Sequence, residues 1–132
     1  MIDIIIKKGT NPKTHEPVYF PIRKKCEVET IADLAETMSR GSTFSVGECV
    51  GIFTDIPHYI IDSLLNGNEV HIEGFGTFKL KVEGPAQKDK HDIHSRNFRV
   101  SLVFEPEEFL AKLIQRKSEF NIVELAKSKE KK

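Results

Sequence analysis

The sequence contains no tryptophan, two methionines, two cysteines and no excess of charge of either sign. Its longest unbroken apolar runs, such as Ile4–Ile6, have three residues, far below the roughly 20 needed to cross a bilayer. No charged-then-apolar leader opens the chain, so we expect no membrane association and a cytoplasmic protein. Cys26 and Cys49 lack a CxxC spacing, which favours two buried thiols over a disulfide or a ligand pair.

Catalytic and cofactor motifs are also missing from the sequence. It has no GxSxG, HExxH or Walker-type segment, and the glycines around Phe75 do not continue into GxGxxG. His91 and His94 with two nearby aspartates suggest a solvated polar loop more than a metal site, which needs fixed ligands. The sequence therefore predicts no enzyme, no metal, no cofactor and no small-molecule substrate.

The length and composition are those of one globular domain. The chain has 132 residues, of which 39% are hydrophobic and 30% are charged. Its 20 cations and 20 carboxylates are segregated along the chain: residues 7–25 carry a net +5, 26–57 a net −5, 79–99 a net +3 and 112–132 a net +4. Because net charge hides such segregation, a polyanionic partner stays possible.

The N-terminal residues predict a β-hairpin. Residues 2–6 and 18–22 are β-branched or aromatic runs, and the stretch between them is rich in turn residues. Pro17 and Pro21 lack an amide donor, so the second strand is expected at a sheet edge.

Two amphipathic helices are predicted next. Thr30 can cap a helix in which residues 31–38 place apolar side chains at i, i+3, i+4 and i+7. Ser45 and Glu48 form a capping box for a second helix. Pro57 is expected to kink or interrupt that helix, which then ends at Asn66-Gly67.

From Glu69 onward the apolar period changes to two. Residues 70–72 and 78–82 predict a hairpin, and residues 98–104 predict a third strand. Between them residues 84–97 have no apolar period, and we interpret them as an arm. Alternation along the strands places three cations on the face opposite the phenylalanines: Lys79, Lys81 and Arg99.

A third helix is predicted to start with Pro106 at its first position, followed by two glutamates and then apolar residues up to Ile114. The predicted organisation is an extension at 1–28 packed on the domain, a main domain at 29–117 and a charged tail at 118–132. The tail's lysines could bind phosphate or simply aid solubility, and both readings stay open: Lys127, Lys129, Lys131 and Lys132.

This order of elements resembles the HU/integration host factor family of bacterial histone-like DNA-binding proteins. The resemblance rests on Asn66-Gly67-Asn68-Glu69-Val70, on Gly74-Phe75-Gly76-Thr77-Phe78 and on Phe104-Glu105-Pro106, with capped helices before them and an arm of family-like length between the last two. It runs from about Ile31 to Leu113. The added N-terminal hairpin makes the chain look like the Bacteroidetes-type HU-related branch.

The resemblance implies an α+β fold and an intertwined homodimer. A helical hairpin would form the base, an antiparallel sheet the saddle, and a protruding β-arm would reach around double-stranded DNA, with the N-terminal hairpin added. The implied activity is sequence-tolerant DNA binding and condensation in the nucleoid, through phosphates and the minor groove. The implied DNA-binding residues are Lys79, Lys81, Lys88, Lys90, Arg96 and Arg99, and the implied dimer-core residues are Phe75, Phe78 and Phe104.

The chain departs from the family at two places. The family's arm tip carries Arg-Asn-Pro, whereas the one proline within the arm of this chain is Pro85, near the arm's base. Ile93 is the one apolar residue in the arm that could act as a wedge between base pairs, so weak DNA bending is expected. After Phe104 the family shows Lys-Pro-Gly-Lys, whereas this chain has Glu105-Pro106-Glu107-Glu108, whose carboxylates repel phosphates.

A second function therefore stays open: an HU-like dimer that has lost DNA binding and acts as a protein-interaction module. The neutral net charge and the acidic cluster favour it. RNA or single-stranded DNA is a lesser variant of the first function, since no aromatic stacking platform is evident on the basic face.

Overall fold

The computed structural model describes residues 1–125, with side chains for residues 1–123. The four tail lysines from Lys127 onward lie outside the described residues. The chain divides into two compact units: Glu29–Lys112, and Met1–Val28 together with the described residues from Leu113 onward. No helix in the described part is long and apolar enough to cross a membrane.

The elements follow one another in a mixed α+β order. They are β1 (Ile2–Thr10), β2 (Pro17–Arg23), α1 (Ile31–Arg40), α2 (Val46–Leu65), β3 (Val70–Ile72), β4 (Gly76–Glu83), β5 (Arg99–Pro106), α3 (Glu108–Lys117) and β6 (Phe120–Leu125). Two three-stranded sheets result, β2-β1-β6 and β3-β4-β5.

Both predicted helix starts are confirmed by capping boxes. The Thr30 hydroxyl accepts from the Asp33 amide, and the Asp33 carboxylate accepts from the Thr30 amide at 2.9 Å. Ser45 and Glu48 repeat the pattern at 3.1 and 2.8 Å. These hydrogen bonds lower the pKa of both the Asp33 and the Glu48 carboxyl, since they favour the ionised form.

The expected interruption at Pro57 does not occur, because α2 runs unbroken from Val46 to Leu65. A proline removes one helical hydrogen bond, to the residue four positions earlier, which here is Phe53. The bonds on either side keep α2 continuous.

The helical unit has a small buried core within the chain. Ala35 of α1 and Cys49 of α2 are fully buried, and Leu64 is 4% exposed; these are the buried hydrophobic side chains among the described residues. The expectation of two buried thiols is therefore wrong for Cys26, which is exposed and accepts a hydrogen bond from Arg23 Nη1 at 2.7 Å. Its position after an edge strand, with cations around it, explains the exposure.

The predicted hairpin and third strand are confirmed in the β3-β4-β5 sheet. All its pairings are antiparallel, and Phe78 lies opposite both Val70 and Phe104. Gly76 needs to be glycine, because an added Cβ would lie 2.7 Å from Phe104 Cε1 and would also overlap the Glu105 carbonyl oxygen. The close approach of β4 and β5 at this point aligns the rest of the register.

The third helix starts later than predicted. Pro106 is the last residue of β5, opposite Gly76, and α3 begins at Glu108. The Glu107 amide donates to the Phe75 carbonyl at 3.0 Å, while the Glu107 carbonyl accepts from the Ala111 amide. Because Pro106 pairs with Gly76 in the sheet, it belongs to β5 and not to the helix, and Glu107 is the residue that precedes α3.

The N-terminal hairpin is confirmed, with β2 at the sheet edge as its prolines require. The segment predicted as a charged tail differs: Phe120–Leu125 forms β6, parallel to β1, with Ile2 opposite Phe120 and Ile4 opposite Ile122. The Ile2 amide donates to the Glu119 carbonyl at 2.7 Å and begins this pairing.

Candidate nucleic-acid interface

The strand register fixes a charged face on the β4–β5 ribbon. Directly paired residues share a sheet face, so Lys79, Lys81 and Glu83 lie on the same side as their partners Val103, Ser101 and Arg99. The predicted common face for Lys79, Lys81 and Arg99 is therefore confirmed. We call these three cations, with Glu83 and Glu105, the charged face.

Two of the three cations on the charged face are held by carboxylates. Lys79 Nζ lies 2.8 Å from Glu105 Oε1, and Lys81 Nζ lies 3.6 Å from Glu83 Oε2. The hydrogen bond to Glu105 raises the pKa of the Lys79 ammonium above its ordinary value. The Lys79 side chain is 33% exposed and that of Lys81 62%. A ligand anion must therefore compete with a local carboxylate for each of them.

The other four predicted cations are exposed and make no ion pair with any side chain described in residues 1–123. Arg99 lies opposite Glu83 at the end of the ribbon. The remaining three, which we call the loop cations, lie in the segment that joins β4 to β5: Lys88, Lys90 and Arg96.

The segment 84–98 is ordered by local hydrogen bonds rather than by strand pairing. It contains two 3₁₀ turns, Lys90–Asp92 and Ser95–Asn97, and β4–β5 pairing ends at Glu83 and Arg99. The β-arm predicted for these residues is therefore replaced by turns. The two ends of the loop lie close together, because a Cβ added at Gly84 would lie 3.1 Å from the ring of Phe98.

Asp89 organises the first turn of this loop. Its Oδ1 accepts from the His91 amide and contacts His91 Nδ1, each at 2.9 Å, and these bonds lower the pKa of the Asp89 carboxyl. Asp89 therefore caps the turn that carries Lys90. Within the described residues no group of three metal-ligating side chains comes together, here or elsewhere.

Each glutamate of the acidic cluster after Phe104 has a partner within the fold. Besides the pair between Glu105 and Lys79, Glu107 Oε2 lies 3.0 Å from His71 Nε2 and accepts from the Gly74 amide at 3.1 Å. Glu108 Oε1 lies 2.9 Å from Lys112 Nζ, one helical turn along α3. Glu107 thus anchors the β3–β4 turn, a role for which its sequence position offers no signal.

The opposite side of the ribbon is apolar and largely uncovered. Phe75, Phe78 and Phe104 form a cluster with ring centroids 4.8 to 6.3 Å apart. Further along the ribbon Val82, Val100 and Leu102 are 56, 57 and 58% exposed. We call these residues with Leu80 the apolar face. A soluble protein rarely leaves such a continuous strip in water.

Sequence reasoning found the cations but missed the groups that restrain them. Glu105 is the main one, since it lies two residues beyond the strand partner of Lys79 on the same face. With Gly76 paired to Pro106, Lys79 pairs with Val103, and Glu105 is its diagonal neighbour on the same face. Long side chains reach diagonal neighbours on one face, so this register indicates the ion pair.

Comparison with known proteins agrees with this geometry. The profile of the family described as "HU-HIG: HU domain fused to wHTH, Ig, or Glycine-rich motif" matches residues 3–121. A search of curated proteins gave no match. A putative bacterial DNA-binding protein from Bacteroides vulgatus superposes with a TM-score of 0.68 at 9% identity, over 95% of this chain and 49% of that one. HU from Anabaena, in its complex with DNA, superposes with a TM-score of 0.53 at 13% identity, over 65% of this chain and 97% of that one.

The fold and the profile together define an HU-type domain. The chain belongs to the HU-HIG family, which confirms the resemblance to HU proteins drawn from its motifs. It spans about half the length of the B. vulgatus protein.

Proposed function

We propose that this chain is a homodimeric, architectural DNA-binding protein that contacts duplex phosphates through its loop cations and Arg99, with little sequence preference. The observation that carries the proposal is the arrangement of an HU-type ribbon: exposed cations, unpaired among the described side chains, at its loop end and an uncovered apolar strip on its reverse. Phosphate contacts of this kind depend on charge and exposure rather than on base identity.

The charge distribution supports the loop as the main contact. Lys88, Lys90 and Arg96 are exposed and make no ion pair with a described side chain, whereas Lys79 and Lys81 are restrained by carboxylates. Arg99 continues the loop onto the charged face. The loop and Arg99 therefore supply the first contacts, and Lys79 and Lys81 contribute only after exchange with their carboxylates.

The uncovered apolar face supports dimerisation. Three aliphatic side chains of the ribbon are more than half exposed, and the helical unit leaves apolar side chains of α1 and α2 exposed as well, among them Leu34 and Ile61. A second copy of the chain offers the same strips for mutual burial around a two-fold axis.

Weak bending of the DNA is part of the proposal. Ile93 is the apolar residue nearest the middle of the loop and is 51% exposed, so it is the candidate wedge between base pairs. Insertion of one aliphatic side chain, without the family's proline, is expected to kink the duplex less. A nucleoid location follows from the proposed function.

The loop is tested by changing Lys88, Lys90 and Arg96 together to alanine. We expect weaker binding to several unrelated duplexes alike, by fluorescence anisotropy, with the thermal melting of the protein unchanged. The matched control changes Arg40, Lys112 and Arg116 to alanine, which removes the same charge from helices. Equal affinity of the two triple variants would contradict the loop assignment.

The dimer is tested by Leu102→Asp, which places a charge on the apolar face. If a second copy covers that face in the wild type, the Leu102→Asp variant is expected to sediment as a monomer and to bind duplex DNA more weakly. Ser101→Asp, its neighbour on the charged face, is the control and is expected to remain dimeric. A wild-type chain that sediments as a monomer would contradict the proposal.

One observation favours the alternative of a protein-interaction module without DNA binding. The pairs between Lys79 and Glu105 and between Lys81 and Glu83 neutralise the part of the ribbon that would form the saddle. Under this alternative the dimer persists, and duplex DNA is not bound at any salt concentration.

A further inference from the structure

The N-terminal hairpin carries a concentration of positive charge that the HU-type interface does not use. Between Lys7 and Lys25 the chain has a single carboxylate, Glu16, and six cations, which we call the hairpin cations: Lys7, Lys8, Lys13, Arg23, Lys24 and Lys25. All six are exposed. None makes an ion pair with a side chain in the described part of the chain, unlike Lys79 and Lys81.

The register places Lys8 and Arg23 on one face of the β1–β2 ribbon and Lys7 on the other, with Lys13 in the turn and Lys24 and Lys25 beyond β2. Lys8 pairs with Tyr19, and Arg23 pairs with Ile4, so Lys8, Tyr19 and Arg23 share a face. Tyr19 and Arg23 are four residues apart, about 14 Å along a strand. That distance is several times the 3.4 Å of helix axis between successive phosphates of one DNA strand. The two ends of the ribbon can therefore contact different phosphates.

The end of the ribbon beyond β2 forms a surface depression of about 180 Å³. It is lined by Arg23, Lys24 and Lys25 together with Asp3 and Cys26. The Lys24 amide donates to the Asp3 carbonyl at 2.8 Å, and Arg23 Nη1 donates to the Cys26 sulfur at 2.7 Å, which fixes the backbone and the guanidinium. Three cations against one carboxylate make this depression attractive to a monoanionic phosphate diester.

We propose that the hairpin cations form a second contact surface for the phosphate backbone of duplex DNA, separate from the loop cations. The inference rests on the proposed function, which it deepens by adding a surface outside the HU-type unit. Duplex DNA is the occupant that the observations favour, because the six exposed cations outnumber one carboxylate and extend over the length of the ribbon, as contact with several phosphates requires.

The test compares two full-length variants with the same charge change. In the hairpin variant Lys8→Gln and Lys24→Gln are combined; in the control Arg40→Gln and Lys112→Gln are combined, since Arg40 and Lys112 are already held by Glu36 and Glu108. Anisotropy titrations with one labelled duplex are run at several salt concentrations. Circular dichroism checks that each variant keeps its fold.

The expected result is a weaker and less salt-sensitive complex for the hairpin variant alone. Removing one phosphate contact flattens the slope of log K against log salt by about 0.9. If variant and wild type bind equally at 1 M salt, the variant therefore binds about eightfold more weakly than the wild type at 0.1 M salt. Removing both contacts would flatten the slope by about 1.8 for each protomer.

Other outcomes separate this inference from the proposed function. A hairpin variant that matches its control, while the alanine variant of the loop binds weakly, overturns the second surface and leaves the loop intact. A wild-type chain that binds no duplex overturns both. Displacement of the duplex by polyglutamate as effectively as by unlabelled duplex would show a general acidic-polymer surface and would overturn the assignment to DNA.

Discussion

Replacing Glu105 with glutamine should strengthen DNA binding, because it releases a cation on the charged face. Lys79 Nζ lies 2.8 Å from Glu105 Oε1, and this hydrogen bond raises the pKa of the Lys79 ammonium. In Glu105→Gln the ammonium stays charged at neutral pH but no longer has a carboxylate partner at this position. It can then bind a phosphate, and a negative charge that repels the duplex has gone.

The size of the effect follows from counting phosphate contacts. One additional contact for each protomer adds two contacts to the dimer, which steepens the slope of log K against log salt by about 1.8, or about 60-fold in affinity near 0.1 M salt relative to 1 M. The assay is a set of anisotropy titrations across a salt series. Glu108→Gln is the matched control, because it removes the same charge but releases Lys112, which lies on α3 and is not part of the charged face.

The comparison of the two glutamine variants is decisive for this reasoning. If Glu105→Gln and Glu108→Gln shift affinity equally, the gain is a matter of net charge, and Lys79 does not contact DNA. If neither changes affinity and the wild type binds no duplex, the protein-interaction alternative is favoured.

Three further predictions concern stability. Phe78→Ala should destabilise the fold by about 3 kcal/mol and weaken association, because the ring joins the aromatic cluster; urea unfolding and sedimentation measure the two effects, and a stable dimeric variant would be the contrary result. Gly76→Ala should destabilise by about 1 to 3 kcal/mol, since its Cβ would meet the Phe104 ring, and unchanged urea unfolding would refute this. Ser45→Ala should weaken α2 by about 1 kcal/mol at neutral pH. Because the folded pKa of Glu48 is lowered by its hydrogen bonds to Ser45, the stability that this carboxylate contributes is present above the pKa of an unfolded glutamate and is lost as pH falls through the folded value. The difference in unfolding free energy between Ser45→Ala and wild type should therefore shrink in acid, and a constant difference would contradict the pKa shift.

Local signals predicted most of the helical and ribbon structure. The capping residues Thr30 and Ser45 start both helices because a side-chain oxygen there satisfies a backbone amide that the helix leaves unpaired. Strict alternation from Phe98 to Phe104 fixed which face carries Arg99, since a strand's side chains alternate regardless of tertiary context.

What the sequence did not predict depends on contacts between distant residues. Phe120–Leu125 pairs with residues 2–6 of β1 across more than a hundred residues, and a short strand within a charged stretch has no signal of its own. The pair between Lys79 and Glu105 depends on the register between two strands. The exposure of Cys26 depends on whether another part of the chain packs over it, which a local pattern does not show. The first turn in 84–98 is capped by the Asp89 side chain, and such local hydrogen bonds compete with strand pairing; the second turn is closed by backbone hydrogen bonds alone.

The most direct measurement of the central proposal is a titration of the full chain against a duplex of arbitrary sequence at two salt concentrations. If four to six of the loop cations and Arg99 side chains of the dimer contact phosphates, the slope of log K against log salt lies between about −3 and −6, with similar values for unrelated sequences. Absence of binding at the lower salt concentration, or affinity that does not respond to salt, would contradict a protein that holds DNA by its phosphates.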